Sequence, residues 1–255
     1  MTYINFDHLA DRFQDQIYGS TKGRIRQAVI NASYLKVLPE LDSGSGLRVL
    51  DAGGGLGQMS KWLLELGHQV DYFDVSQEML NRTEQLLSEQ TASGQWQGMQ
   101  ASILEYEPRH AMDLVVVHAV LEWLEQPQLA LERAVAWLKP GGFLGLMVYN
   151  RHMLVMRNLM RGTLKKVKAD QLGGDGQGLT PINPLDPTAV RGWLEAAGLE
   201  VSLQAGVRTF SDLTEPVVLS WYEEADIIEM ELELCEQAPY RDLGRYVLFL
   251  AHKPL

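Results

Sequence analysis

The chain has 255 residues, 46% of them hydrophobic and 22% charged, which suits one α/β domain with a substantial core and excludes a disordered chain. No apolar run reaches the roughly 18 residues of a membrane helix, the opening MTYINFDHLADRF carries Asp7, Asp11 and Arg12 where a signal peptide needs an apolar centre, and the single Cys235 excludes an internal disulfide or a multi-cysteine zinc site. The expectation is a cytoplasmic protein with no membrane and no metal; a net charge of −11 argues against a surface coated for nucleic acid but leaves room for a local basic patch.

In chain order, residues 1–45 read mainly as helix with a break around Tyr18-Gly19-Ser20-Thr21, and DSGSG (42–46) as a turn. RVLDAG (48–53) is a short strand running into glycines, and GQMSKWLLELG (57–67) has helical apolar spacing that Gly67 ends. HQVDYFDV (68–75) reads as a strand, after which Ser76 caps a helix carrying Met79, Leu80, Thr83, Leu86 and Leu87. QWQGMQA (95–101) is a weaker strand, MDLVVVH (112–118) a buried one and ALERAVAWL (130–138) a helix; LKPGG (138–142) turns the chain into the strand FLGLMVYN (143–150). Residues 151–185 break the alternation with a basic, helix-like stretch and the Gly-rich LGGDGQG (172–178). It resumes with Asp186 as a cap, a helix stopped by Gly198, and a strand. WYEEADIIEMELELCEQ (221–237) reads as an amphipathic helix with its acids toward water, before a last strand, RYVLFLAHK (245–253). Strands alternating with helices imply right-handed crossovers and a largely parallel, Rossmann-like α/β sheet.

The chemistry begins at Val49-Leu50-Asp51-Ala52-Gly53-Gly54-Gly55-Leu56-Gly57. Removing Cβ atoms lets a strand-to-helix loop turn sharply and lets backbone amides approach a ligand. Gly53, Gly55 and Gly57 form G-x-G-x-G, whereas the dinucleotide fingerprint needs glycine where Gln58 stands. S-adenosylmethionine has no pyrophosphate; its tail carries a carboxylate and an ammonium, which Asp51 is placed to orient. Asp74, ending the next strand, can accept hydrogen bonds from both ribose hydroxyls.

This loop, with HAVLEWLEQPQLALERAVAWLKPGG, resembles the class I methyltransferases. The resemblance implies a seven-stranded, mostly parallel sheet in the order 3-2-1-4-5-7-6, with helices on both faces, and adenine near Ala101-Ser102. An acid often follows the third strand in that family; here Ser102-Ile103 stands and the nearest acid is Glu105. A closer resemblance covers almost the whole chain: IYGSTKGRIRQAV, DAGGGLGQ, HAVLEWL, DPTAVRGWLEAAGL and LGRYV are similar to the tRNA 5-carboxymethoxyuridine methyltransferase family. It implies methylation of that nucleoside's carboxylate at the wobble position, with the tRNA anticodon arm as partner and cofactor contacts at Arg26, Gly53-Gly54, Asp74, Ala101-Ser102 and His118. The expected organisation is a single domain, 1–255. It divides into a helical extension or lid (1–45), a cofactor core (46–150), a basic substrate-binding insertion (151–185) and the remaining sheet (186–255).

A carboxylate is ionised at neutral pH, so no general base is expected and catalysis rests on orientation. Tyr149 and Arg208, at the ends of the fifth and sixth strands, and Tyr18 and Lys22 in the N-terminal signature are the candidates to orient it. Arg suits the task because its planar fork meets two oxygens. Between residues 151 and 168, Arg151, Arg157, Arg161, Lys165, Lys166 and Lys168 occur without one acid, a candidate phosphate-binding surface, with Arg191, Arg208, Arg241 and Arg245 further along. Without the resemblance, Arg26 is equally an exposed helix charge, His118 a hydrogen-bonded structural histidine, and the basic run a solvated face. Two other functions stay open: a methyltransferase for a quinone precursor or small carboxylic acid, and an inactive cofactor- or RNA-binding module. A nicotinamide reductase is disfavoured by the glycine spacing and by the lack of a Tyr-x-x-x-Lys pair after the fourth strand.

Overall fold

Successive side chains of a strand point to opposite faces of its sheet. Along β4 (Met112–His118), Leu114 and Val116 enter one hydrophobic core while Val115 and Val117 enter another. The computed structural model, which describes residues 20–176 and 178–255, repeats this split across one seven-stranded sheet. Its other strands are β1 (Arg48–Ala52), β2 (Gln69–Asp74), β3 (Trp96–Gln100), β5 (Leu138–Tyr149), β6 (Glu200–Val207) and β7 (Tyr246–His252). The order is β3-β2-β1-β4-β5-β7-β6; neighbours pair in parallel except that β7 runs antiparallel to both β5 and β6. This is the order implied by the class I resemblance.

The helices are α1 (Thr21–Val37), α2 (Gln58–Glu65), α3 (Gln77–Leu86), α4 (Ser88–Ala92) and α5 (Pro127–Ala136), then α6 (Arg151–Met160), α7 (Leu164–Lys168), α8 (Pro187–Ala196), α9 (Pro216–Leu219) and α10 (Glu224–Leu234). Val29, Ile30 and Tyr34 of α1, Met59 and Leu63 of α2, and Leu154 of α6 cover one face. Leu131 and Ala134 of α5 and Val190 and Leu194 of α8 cover the other. Burying each large aliphatic side chain in these cores contributes about 1.5–3 kcal/mol. Local signals set the helix starts: Ser76 accepts Met79 N–H at 3.1 Å and Asp186 accepts Thr188 N–H at 2.8 Å. Among the described residues no helix is long and apolar enough to cross a membrane.

Two sequence expectations need correction. LKPGG is not a turn ahead of the strand but an irregular first part of β5: Leu138 pairs with Met112, then the register shifts until Phe143 pairs with Leu114. Gly141, at φ +77°, lets the backbone bulge there. The acids of 221–237 do not all face water either. Glu231 is fully buried, accepting hydrogen bonds from Thr209 and Ser211 of the segment after β6. The basic insertion forms α6 and α7, separated at Gly162, and the chain returns to the core where Leu185 N–H meets Tyr149 C=O at 3.1 Å.

Candidate functional site

In an open α/β sheet, ligands bind beyond the carboxyl ends of the strands, where the strand order reverses. Here that reversal lies between β1 and β4. Asp51, Asp74, His118 and Tyr149 lie in the last two positions of β1, β2, β4 and β5, and all line one cavity of about 680 Å³. Because β7 is antiparallel, the residue after β6 and the residue before β7 emerge at the same edge. These are Arg208 and Arg245, and both line the cavity.

The glycine loop forms one wall. Gly53 is left-handed, at φ +68°, and a Cβ there would lie 2.6 Å from Val120 Cγ2. A Cβ on Gly54 would lie 2.6 Å from Asp51 Oδ2. Asp51 Oδ2 accepts the backbone N–H and hydroxyl of Ser60 at 3.1 and 2.7 Å. Burial pushes the Asp51 carboxyl up to about 6, while the Ser60 hydrogen bonds pull the other way. Asp74 is fixed by two amides, Gly55 N–H on Oδ2 at 3.0 Å and Ser76 N–H on Oδ1 at 2.8 Å. Each carboxylate oxygen has two lone pairs, so these bonds set its aim without exhausting its capacity. Ala101 N–H is tied to Asp74 C=O at 3.0 Å, and Ala101 and Ser102 border the same space.

His118 sits between the two halves of the site. Its Nε2 is 2.9 Å from the Tyr34 hydroxyl, and its buried Nδ1 has no hydrogen-bond partner among the described residues. Burial, with the nearby Arg26 charge, drives its pKa down to about 3, so the ring is neutral at ordinary pH. The next residue, Ala119, is left-handed at φ 59°. Non-glycine residues hold that conformation only where their surroundings impose it, commonly at functional sites. Glu122, also lining the cavity, is fully buried; one oxygen accepts Tyr149 N–H at 2.9 Å. Burial pushes its carboxyl up to about 7.

The remaining wall is cationic. Asp212, almost wholly buried, accepts hydrogen bonds from Arg208 on one oxygen and Arg245 on the other, with Lys22 Nζ 3.8 Å from Oδ1. Burial favours a neutral Asp212, but Arg208 and Arg245 outweigh it and hold its carboxyl below the usual range. Arg245 also donates to the Tyr149 hydroxyl at 2.5 Å. Arg208 is left-handed at φ 62°, held by a segment that Glu231 anchors. Arg157 reaches the cavity from α6, and its charge interacts with Asp212 and Arg245. Three cations thus hold or approach one carboxylate, and Arg157 adds a fourth positive charge to the same wall at longer range.

The structure therefore brings together Lys22, Arg26, Asp51, Gly53, Gly54, Gly55, Asp74, Ala101, Ser102, His118, Tyr149 and Arg208, as the sequence suggested. Gly57 stands just behind, as the left-handed residue that opens α2. Arg157 and Arg245, assigned from sequence to a tRNA-binding surface, line the cavity as well. Arg151 pairs with Asp170, while Arg161, Lys165 and Lys166 are exposed. Tyr18 lies outside the described residues. Sequence reasoning missed Tyr34, Glu122, Asp212 and Glu231. Glu122 left a signal, a charge inside the apolar run MDLVVVHAVLEWL; Asp212 left none, because its partners are fixed only by the sheet.

A profile described as a methyltransferase domain matches residues 50–144. The chain is 40% identical to the tRNA 5-carboxymethoxyuridine methyltransferase of Escherichia coli O157:H7 over 98% of its own length and 96% of that protein, and 39% identical, over the same shares, to its counterpart from Escherichia coli strain K12. Among solved structures, magnesium protoporphyrin IX methyltransferase from Synechocystis PCC 6803 with bound SAH superposes with a TM-score of 0.67 at 16% identity, covering 97% of this chain and 96% of that one, a likeness of fold.

Proposed function

Because this chain belongs to the tRNA 5-carboxymethoxyuridine methyltransferase family and is an S-adenosylmethionine-dependent methyltransferase, we propose that it methylates the carboxylate of 5-carboxymethoxyuridine at the tRNA wobble position, giving 5-methoxycarbonylmethoxyuridine. One observation carries the reading: a single cavity joins the glycine cradle to a wall of four cations, three of them gathered on one buried carboxylate.

The residues fit the cofactor. The cavity lies within the roughly 300–1,000 Å³ of small-molecule sites, and its glycine wall is closed to side chains at Gly53 and Gly54. Asp74 is the acceptor for ribose hydroxyls, Asp51 the counter-charge for an ammonium and Arg26 the donor for a carboxylate; Ala101 and Ser102 border the base. S-adenosylmethionine, when bound, supplies a methyl group on a positively charged sulfur.

The chain's own contribution is placement. An acceptor carboxylate is ionised already, so none of Asp51, His118 or Glu122 has to remove a proton. The cationic wall draws the acceptor in and orients it, and effective concentration does the rest. A clamp that held the ground-state carboxylate too tightly would raise the barrier. Asp212 limits that grip by neutralising part of the charge on Arg208 and Arg245. Beyond the cavity, exposed Arg161, Lys165, Lys166 and Lys168 of the α6–α7 insertion suit phosphates of the anticodon arm.

The test is nucleoside mass spectrometry of tRNA from cells lacking the gene. Unmethylated 5-carboxymethoxyuridine accumulates and re-expression restores the ester; an unchanged nucleoside profile contradicts the proposal.

A further inference from the structure

The cations of the cavity are not equally available. Arg208 donates to Asp212 Oδ1, and Arg245 donates to Asp212 Oδ2 and to the Tyr149 hydroxyl. Lys22 Nζ stands 3.8 Å from the same carboxylate. Arg26 lies over the Tyr246 ring, 5.1 Å from its centroid, and its charge acts on His118 and Glu122. In the function proposed above, Arg26 is engaged by the cofactor's own carboxylate. Arg157 forms no ion pair with any carboxylate among the described residues.

We propose that Arg157, rather than Arg208 or Arg245, is the residue that meets the acceptor carboxylate and selects for it. This rests on the carboxylate acceptor proposed above. Arg157 follows buried Met153 by four residues and buried Leu154 by three, which puts it on the inner face of α6. From there it enters the cavity. Burial and the like charges of Arg245 and Arg161 make its protonated form costly, and Tyr149 and Asp212 offset that cost only in part. An incoming carboxylate relieves that cost, and the guanidinium fork can offer it two parallel N–H groups. At Arg208 and Arg245 the acceptor would compete with Asp212 and be repelled by it. Asp212 is therefore a positioning residue: it holds two arginines in a fixed frame and leaves the third to bind.

The experiment compares wild type, R157Q and R157M, using purified enzyme, an anticodon stem-loop bearing 5-carboxymethoxyuridine, and calorimetry with S-adenosylhomocysteine. Met keeps the apolar stem, so the helix packs as before. The expected result is S-adenosylhomocysteine affinity within about twofold of wild type but a loss of about 100-fold in kcat/KM, with kcat falling as well as KM rising. A pure phosphate contact would instead raise KM, leave kcat unchanged and flatten the salt dependence; that outcome overturns the assignment. So does wild-type kcat/KM in both variants, or an equal loss of S-adenosylhomocysteine binding in both. In the last two cases a wild-type enzyme that still methylates the stem-loop leaves the proposed function standing. A wild-type enzyme that does not removes both.

Discussion

Glu231 binds Thr209 twice, accepting its backbone N–H at 2.7 Å and its hydroxyl at 2.9 Å on one carboxylate oxygen, while the other takes Ser211 N–H at 3.0 Å. An acid buried within α10 thus fixes the segment that carries Arg208 and leads to Asp212. The left-handed backbone of Arg208 costs free energy, and this anchor over-determines it. Replacing Glu231 with Ala strands two buried N–H groups and a hydroxyl. E231A is expected to lose about 2–4 kcal/mol in denaturant unfolding and to lose more acceptor turnover than S-adenosylhomocysteine affinity. Wild-type stability in E231A contradicts this role.

Asp51 gives the cofactor site a pH signature. Folding raises its pKa from 3.8 to about 6, so in the unliganded protein it favours the folded state below its unfolded pKa and loses that contribution as pH rises through 6. An ammonium group reverses the preference by favouring the carboxylate. Affinity for S-adenosylhomocysteine should therefore rise with pH through about 6 and then level off. D51N should bind more weakly at pH 7 and lack the step centred at about pH 6. A D51N profile that keeps the wild-type step assigns it to another group, with Glu122, pushed up to about 7, first in line.

Gly54 tests the cradle. An added Cβ would lie 2.5 Å from the Tyr72 ring as well as 2.6 Å from Asp51 Oδ2. The ring is held in place, since its hydroxyl donates to Gly55 C=O at 2.6 Å and it packs at a tilt against the Trp96 ring, centroids 5.5 Å apart. G54A is expected to cost about 1–3 kcal/mol of stability through overpacking and at least about tenfold in S-adenosylhomocysteine affinity, since Asp51 must move. Wild-type values for both in calorimetry would show that the wall is not as rigid as this geometry requires.

These residues also mark what a sequence discloses. Strand periodicity placed MDLVVVH on the residues that β4 occupies, and Ser76, Asp186 and the glycines acted locally, as capping and left-handed backbone require. Asp51, Asp74 and His118 were legible because a strand's end is a position that spacing reveals. The cationic wall was only half legible. Arg245 follows Arg208 by 37 positions in sequence, yet β6 and β7 pair side by side, and Arg245 N–H meets Arg208 C=O at 3.0 Å. Asp212 and Glu231 gain their meaning from such non-local contacts. Glu231 falls four residues after Ile227 and four before Cys235, on the buried face of its helix, but nothing local in the sequence discloses the Thr209 and Ser211 donors that let an acid stand there.

The most direct test of the central claim is the chemistry of the transferred group. Purified protein is incubated with methyl-labelled S-adenosylmethionine and an anticodon stem-loop carrying 5-carboxymethoxyuridine, and the recovered RNA is treated with mild alkali. A methyl ester predicts label released as methanol and the parent nucleoside regenerated. Label that survives alkali on the base or sugar, or no label in the RNA at all, would contradict methylation of the carboxylate.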